Sequence, residues 1–327
     1  MHLEDLGWSP FFSDSFAEYS RRGLTPARVY RVERGRWDLW TPAGATHASL
    51  SGGAAEPPAC GDWVAFDGLR IHAILPRKSQ LCRKTSGKAV REQVLAANLD
   101  VCFIVAGLDG DFNQRRIERY LAVVRQGGAR PVIVLNKADL AVPPTCPLGA
   151  PVAVVSAWTG LGMDALGAHA RRGETAVFIG SSGAGKSTLI NRLLGDDRQA
   201  TQPVREHDSR GRHTTSRREC FMLPSGWILM DLPGIREIGL WESDARSAFP
   251  DVAGLAETCR FANCTHTHEP GCSVRDALDP ARLESFRKLE REQAYLRTLA
   301  DVPAARERSP ESKRAHKAPR SRLTPKR

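Results

Sequence analysis

Three groups of residues in this chain have the types and spacings of working chemistry. The first is Gly180-Ser181-Ser182-Gly183-Ala184-Gly185-Lys186-Ser187, followed by Thr188. Its glycines let backbone N–H groups turn inward around phosphate oxygens, Lys186 can reach the β- and γ-oxygens, and Ser187 offers its hydroxyl to Mg²⁺. The second is Asn136-Lys137-Ala138-Asp139. A carboxylate at Asp139 can accept two charge-assisted hydrogen bonds from guanine N1–H and its exocyclic amine, a donor pair that adenine lacks. In this reading Asp139 selects the base, Asn136 braces its loop and the Lys137 stem lies along the ring. Ser156 and Ala157 close the next strand, where a backbone N–H can meet guanine O6. The third group, Cys259, Cys264, His266 and Cys272, supplies three thiolates and an imidazole, a closed tetrahedral set that suits structural Zn²⁺. His268 is an alternative to His266 as the fourth ligand.

Two further stretches would complete a phosphate site. Asp231-Leu232-Pro233-Gly234 ends a strand-like run, which places Asp231 to hold a Mg²⁺ shell and the Gly234 N–H to face a γ-phosphate. Between it and the glycine-rich loop lies Gly211-Arg212-His213-Thr214-Thr215, where either Thr214 or Thr215 can close on Mg²⁺ and the γ-phosphate.

The elements that must position these residues are legible as apolar runs. Val101–Ala106, Pro131–Leu135, Pro151–Val155, Thr175–Ile179 and Trp227–Met230 are interspersed with helical stretches such as Asn113–Gln126 and Ser187–Leu194. That grammar predicts a mainly parallel sheet covered on both faces, with its chemistry at the C-terminal strand ends. Upstream, Ala27–Val32, Trp37–Trp40, Asp62–Phe66 and Ile71–Leu75 are short strands between Gly- and Pro-rich turns, a pattern that predicts a small β-barrel. After the Cys/His cluster, Asp279 and Pro280 read as the N-cap and first residue of a helix carrying Leu283, Phe286, Leu289, Leu296 and Leu299.

Composition narrows the class of molecule. With 327 residues, 41% hydrophobic and 26% charged, the chain can bury a core without disulfides. Its net charge of +10 is uneven: residues 306–327 hold nine Lys/Arg and two Glu. That tail is expected to be disordered in isolation, where it either contacts RNA phosphates or merely solubilises. Met1–Gly23 carries four acids and no sustained apolar run, so no secretory signal is expected there. No stretch approaches the roughly 18–20 apolar residues of a membrane span, and a cytoplasmic protein without a membrane partner is expected. Of eight cysteines, three crowd beside histidines, which points to metal rather than disulfides.

The five nucleotide elements resemble the G motifs of the translation-factor class of GTPases, in the order four, five, one, two, three. That order is a circular permutation, compatible with a site built from loops at the ends of parallel strands. It runs the γ-phosphate-sensing loop at Asp231–Gly234 directly into the Cys/His module, so the nucleotide state can be transmitted there. Ile235 stands where many GTPases carry a water-orienting glutamine, and an apolar side chain cannot do that work. His213 is the nearest titratable candidate, the alternative being a solvated loop histidine.

With Gly61-Asp62-Trp63-Val64 and Leu75-Pro76-Arg77 in the barrel, and the Cys-Arg-Phe-x-x-Cys-x-His run from Cys259, the chain resembles the bacterial ribosome small subunit-dependent GTPase A family from roughly Thr25 to Leu299. The resemblance implies a multidomain α/β and β protein. Its parts would be an OB-fold β-barrel that binds RNA (23–85), a circularly permuted P-loop GTPase domain (86–240) and a helical zinc-binding domain (241–302), while an N-terminal arm (1–22) and a basic tail (303–327) fall outside the resemblance. It implies hydrolysis of GTP to GDP and phosphate with Mg²⁺, one structural zinc, and docking of a monomer on the 30S ribosomal subunit and its 16S rRNA late in maturation. The family's histidine proposed for catalysis falls on His213. In the barrel, Arg28, Arg31, Arg34, Arg36, Arg77, Lys78, Arg83 and Lys84 interleave with Tyr30, Trp37, Trp40 and Trp63, aromatics that can either stack RNA bases or fill the core. Two rival readings remain: an RNA-binding module for which GTP is only a ligand, and an ATP-dependent kinase or ATPase on the same P-loop.

Overall fold

The computed structural model describes residues 1–33, 35–52, 56–84, 92–144, 149–195, 218–232, 249–291 and 294. Strands β1 (Thr25–Glu33), β2 (Arg36–Thr41), β3 (Gly44–Leu50), β4 (Trp63–Phe66) and β5 (Arg70–Ile74) form a barrel. Pairing runs β1–β2–β3–β5–β4–β1, antiparallel except between β3 and β5, which closes the barrel in the manner of an OB-fold. Strand β3 was not among the expected strands, because Ala48 is its one buried side chain and no apolar alternation marks it. Ala27, Val29, Leu39, Val64, Phe66 and Ile71 fill the interior.

Of the two roles open to the barrel tryptophans, packing is the one realised. Trp37 and Trp40 are 7% exposed and Trp63 is fully buried. Several of the interleaved cations are also engaged internally: Arg31 Nε donates to Asp38 at 2.6 Å, and Arg77 makes two bonds of 2.8 Å to the buried Asp62. Arg28 is buried as well, donating to Leu6 O, to Asn98 O at 3.3 Å and to Thr175 Oγ1 at 2.6 Å. Burial pushes its pKa down, against a weaker upward pull from Asp100 and Asp62, and its partners named here are neutral oxygens. These three partners lie in three separate segments, so one guanidinium ties the N-terminus, the barrel and the central sheet together.

After a hairpin of β6 (Gln80–Lys84) and β7 (Glu92–Ala97), the expected parallel sheet appears. Its strands are β8 (Val101–Gly107), β9 (Arg130–Asn136), β10 (Val152–Val154), β11 (Thr175–Gly180), β12 (Arg218–Met222) and β13 (Ile228–Asp231). The order β10-β9-β8-β11-β13 is parallel throughout, and β12 lies antiparallel to β13. Alternation along the strands covers both faces. Cys102, Ile104, Ile133, Leu135, Val177 and Ile179 share a core with α2 (Gln114–Gln126), whereas Phe103, Val105, Val132, Val134 and Phe178 pack with α3 (Asp164–Gly167) and α4 (Lys186–Leu194). Strand β12 also pairs with β1, Arg31 opposite Glu219, so barrel and parallel sheet are one sheet of eleven strands.

The segment ahead of the barrel is structured. Helix α1 (Pro10–Arg21) buries Phe12 and Phe16, and Trp8 meets Trp63 edge-on at 4.7 Å. At the other end, helices Pro250–Ala256, Ser273–Ala277 and 280–291 surround the Cys/His cluster. Asp279 Oδ1 accepts from the N–H groups of Ala281 and Arg282 at 3.0 Å, the cap expected from the sequence. Phe249, Phe286 and Leu283 share the core of α2, and Arg282 joins them with an ion pair to the buried Glu118 of α2 and two bonds to Asp251.

Candidate nucleotide site and metal centre

The nucleotide motifs converge because β9, β10, β11 and β13 point the same way, leaving their C-terminal loops at one edge of the sheet. Strand β11 ends in Gly180 at φ +146°, where a Cβ would lie 2.3 Å from Val105 O, so only glycine lets the loop leave the sheet here. Ser182 and Gly183 are exposed, Ala184 is buried, and Gly185 at φ +94° immediately precedes α4. Lys186 Nζ donates to Gly180 O at 2.9 Å and Ser181 O at 2.6 Å, which holds its charge over the loop. Ser187 and Thr188 follow, half-buried, on the first turn of α4.

Asn136 is the junction of the site. Only 1% exposed, it donates from Nδ2 to Ala184 O at 2.9 Å and accepts from Ala157 N at 3.0 Å. One amide therefore joins the glycine-rich loop to the loop after β10. Ser156 Oγ donates to Asp139, which places that carboxylate beside the same loop. Lys137 has φ +66°, a conformation that costs a non-glycine residue, and its Nζ pairs with Asp109. Burial acts to raise the Asp109 carboxyl, but the hydrogen bond and charge of Lys137 outweigh it and hold the group below the ordinary range. Of the two backbone N–H groups considered for guanine O6, that of Ser156 is taken by Leu161 O and that of Ala157 by Asn136. Asp231, half-buried, ends β13 opposite Glu219. His213, Thr214, Thr215, Gly234 and Ile235 lie outside the described residues, as does the basic tail.

Sequence reasoning missed Asp109, Asp111 and Arg192. Asp111 accepts from Ser181 Oγ of the glycine-rich loop and pairs with Arg116 at 2.6 Å. Arg192, on α4, donates to the carbonyls of Ala157, Trp158 and Thr159 at 3.1–3.2 Å. The two aspartates follow β8, and the rule that ligands meet the C-terminal ends of parallel strands would have flagged that loop without any motif.

In the metal centre, one ligand atom from each of Cys259, Cys264, His266 and Cys272 lies within 4.8 Å of all the others. His266 Nδ1 is 3.7 Å from Cys259 Sγ and 3.5 Å from Cys272 Sγ. A tetrahedron with Zn–S about 2.3 Å and Zn–N about 2.0–2.1 Å has an S···N edge of about 3.6 Å, so the donor set fits that ion. His268 is exposed and bonds to Thr267, and it is His266 whose ring nitrogen lies with the three sulfurs. The Val274 N–H and other donors around Cys259 favour its thiolate and lower its pKa.

The family model for the RsgA GTPase matches residues 74–241. A small ribosomal subunit biogenesis GTPase RsgA from Syntrophotalea carbinolica is 46% identical, with 93% of each chain covered, and one from Opitutus terrae is 44% identical over 98% of each. The chain belongs to the RsgA GTPase family. As an RsgA GTPase it is a GTP hydrolase, which removes the ATPase reading. The crystal structure of YjeQ from Thermotoga maritima matches with a TM-score of 0.64 at 20% identity, covering 83% of this chain and 99% of that one. YloQ, a circularly permuted GTPase, gives 0.60 at 18%, covering 83% and 95%. These likenesses carry the fold alone, a circularly permuted GTPase with an N-terminal barrel, which is the arrangement expected for an RsgA GTPase.

Proposed function

We propose that this GTPase serves the late maturation of the small ribosomal subunit, binding the 30S particle and its 16S rRNA as a cytoplasmic monomer and leaving in a nucleotide-dependent way. The likeness to small ribosomal subunit biogenesis GTPases supports the partner, and the observation that carries the nucleotide chemistry is Asn136, whose two hydrogen bonds draw the phosphate loop and the loop beside Asp139 into one pocket. Asp139 takes the guanine N1–H and amine, exchanging its contact with Ser156 for them, and the Ser156–Ala157 turn, held by Asn136, lies beside O6. Gly180–Ser187 wrap the phosphates, and Lys186 shifts its ammonium from the loop carbonyls to the β- and γ-oxygens, where charge develops as water attacks and GDP departs. Ser187, Asp231 and one of Thr214 or Thr215 would hold Mg²⁺, which neutralises phosphate charge when bound. His213 orients the attacking water and the Gly234 N–H meets the γ-phosphate. A zinc ion in the Cys₃His set is structural, since all four positions are filled by protein. The barrel (23–85), the GTPase domain (86–240) and the zinc domain (241–302) divide the work into RNA contact, switching and relay, with the cations of residues 303–327 reaching rRNA phosphates.

Steady-state hydrolysis measured alone and with purified 30S subunits, 50S subunits or bare rRNA tests this reading. Stimulation by 30S alone is expected, with a gain that can approach the roughly 10³–10⁵ of activated GTPases. Equal rates under all conditions would leave the protein a passive guanine-nucleotide binder.

A further inference from the structure

One large aromatic side chain is left in water at the proposed base site. Trp158 is 81% exposed, whereas the three barrel tryptophans and Trp227 are each 7% exposed or less. It follows Ala157 directly and stands two residues from Ser156, the residue bonded to Asp139. Its backbone is not loose. Ser156 N donates to Leu161 O at 2.9 Å, Gly160 N to Ser156 O at 2.8 Å, and Arg192 holds three consecutive carbonyls, that of Trp158 at 3.1 Å. Gly160, at φ +92°, is tight against Arg192: a Cβ there would lie 2.3 Å from Nη2. A rigid backbone presenting a solvated indole is pre-organised for a flat ligand, because little ordering entropy remains to be lost.

Strand order says where that ligand lies. Asp139 belongs to the loop after β9, and β9 sits between β8 and β10. On the β8 side the Lys137 side chain is pinned by Asp109, and on the β10 side stands Trp158. The space over Asp139 is thus flanked by an alkyl-ammonium stem on one side and the indole-bearing loop on the other. We infer that Trp158 is the stacking face of the base pocket, with the nucleotide's purine ring held between its indole and the Lys137 stem. This rests on the assignment of Asp139 to guanine, but the two residues do different work. A π-face attracts any purine, so Trp158 sets affinity, whereas the Asp139 carboxylate sets the preference for guanine.

The test is calorimetric titration of the full chain with GDP and with ADP, alongside tryptophan emission. In the wild type, GDP should quench emission. The W158A variant should weaken GDP about 5- to 150-fold, the range for losing one base–aromatic stack, while the GDP-to-ADP preference stays within about twofold. W158F should bind GDP nearly as well as the wild type and lose the quench, which keeps the test decisive should W158A fold poorly. GDP binding by W158A within twofold of the wild type overturns the inference while leaving the guanine assignment intact. Loss of 30S stimulation with GDP affinity unchanged also overturns it, making the indole a docking residue instead. A wild-type chain with no preference for GDP over ADP would sink the Asp139 assignment itself.

Discussion

Replacing Asn136 with alanine removes both bonds of the amide that joins the two nucleotide loops. The side chain is 1% exposed and its partners are backbone groups, Ala184 O and Ala157 N–H, so the variant leaves one buried acceptor and one buried donor unpaired. Each costs about 1–3 kcal/mol if water cannot reach it, and partial relaxation puts the sum at about 2–4 kcal/mol. The loss divides between global stability and nucleotide binding according to how far the loops separate. If about 2 kcal/mol falls on binding, the GDP dissociation constant rises about 30-fold. Urea denaturation without nucleotide reads the first share and calorimetric GDP titration the second. N136D sharpens the case: it keeps an acceptor for Ala157 N–H but turns a carboxylate toward Ala184 O, so it should weaken the phosphate-loop side more. A variant N136A with an unchanged urea midpoint and GDP binding within twofold of the wild type would refute the idea that this residue holds the site together.

Two other outcomes follow from the same geometry. D139N should weaken GDP by at least about tenfold, since hydrogen bonds to a charged group contribute about 1.5–3 kcal/mol each, and should improve the relative binding of xanthosine diphosphate, measured by competition. Cys272→Ser removes a thiolate that also caps the helix Ser273–Ala277 by accepting from Arg275 N at 3.4 Å. Zinc content by mass spectrometry should fall from about one per chain toward zero, and limited proteolysis should open within residues 249–291, because a structural metal supplies folding free energy.

How much was legible in the sequence depended on whether a feature was written locally. The strands of the parallel sheet were readable because burial on both faces demands unbroken apolar runs such as Val101–Ala106. The helix at 280–291 was readable from the Asp279-Pro280 start and the recurrence of Leu283, Phe286 and Leu289. Strand β3 was not, because Ala48 is its one buried side chain and no apolar alternation marks it. Helix α1 escaped because its apolar face depends on Trp63, more than forty residues away, for its meaning. In the site, glycine-rich and carboxylate motifs announced themselves by spacing. Asp109 and Asp111 join the site through Lys137 and Ser181, partners 28 and 70 residues distant, so no local spacing marked them as part of it. The interleaved arginines of the barrel misled for the same reason: Arg28 and Arg77 look like surface cations until their buried partners are seen.

The seam between β1 and β12 has a consequence for how the chain is made. Arg31 and Glu219 face each other across it although 188 residues separate them. At about 5–20 residues per second, the second half of β1 therefore leaves the ribosome roughly 10–40 s before the strand that will cover it. For that interval the nascent barrel carries an unpaired backbone edge, the kind of surface that templates wrong pairing between chains. Arg31, poised between Asp38 and the still-absent Glu219, puts charge on that edge while it waits. The same arginine that later closes the seam is a gatekeeper during synthesis, so its neutralisation would be felt first in the yield of soluble protein.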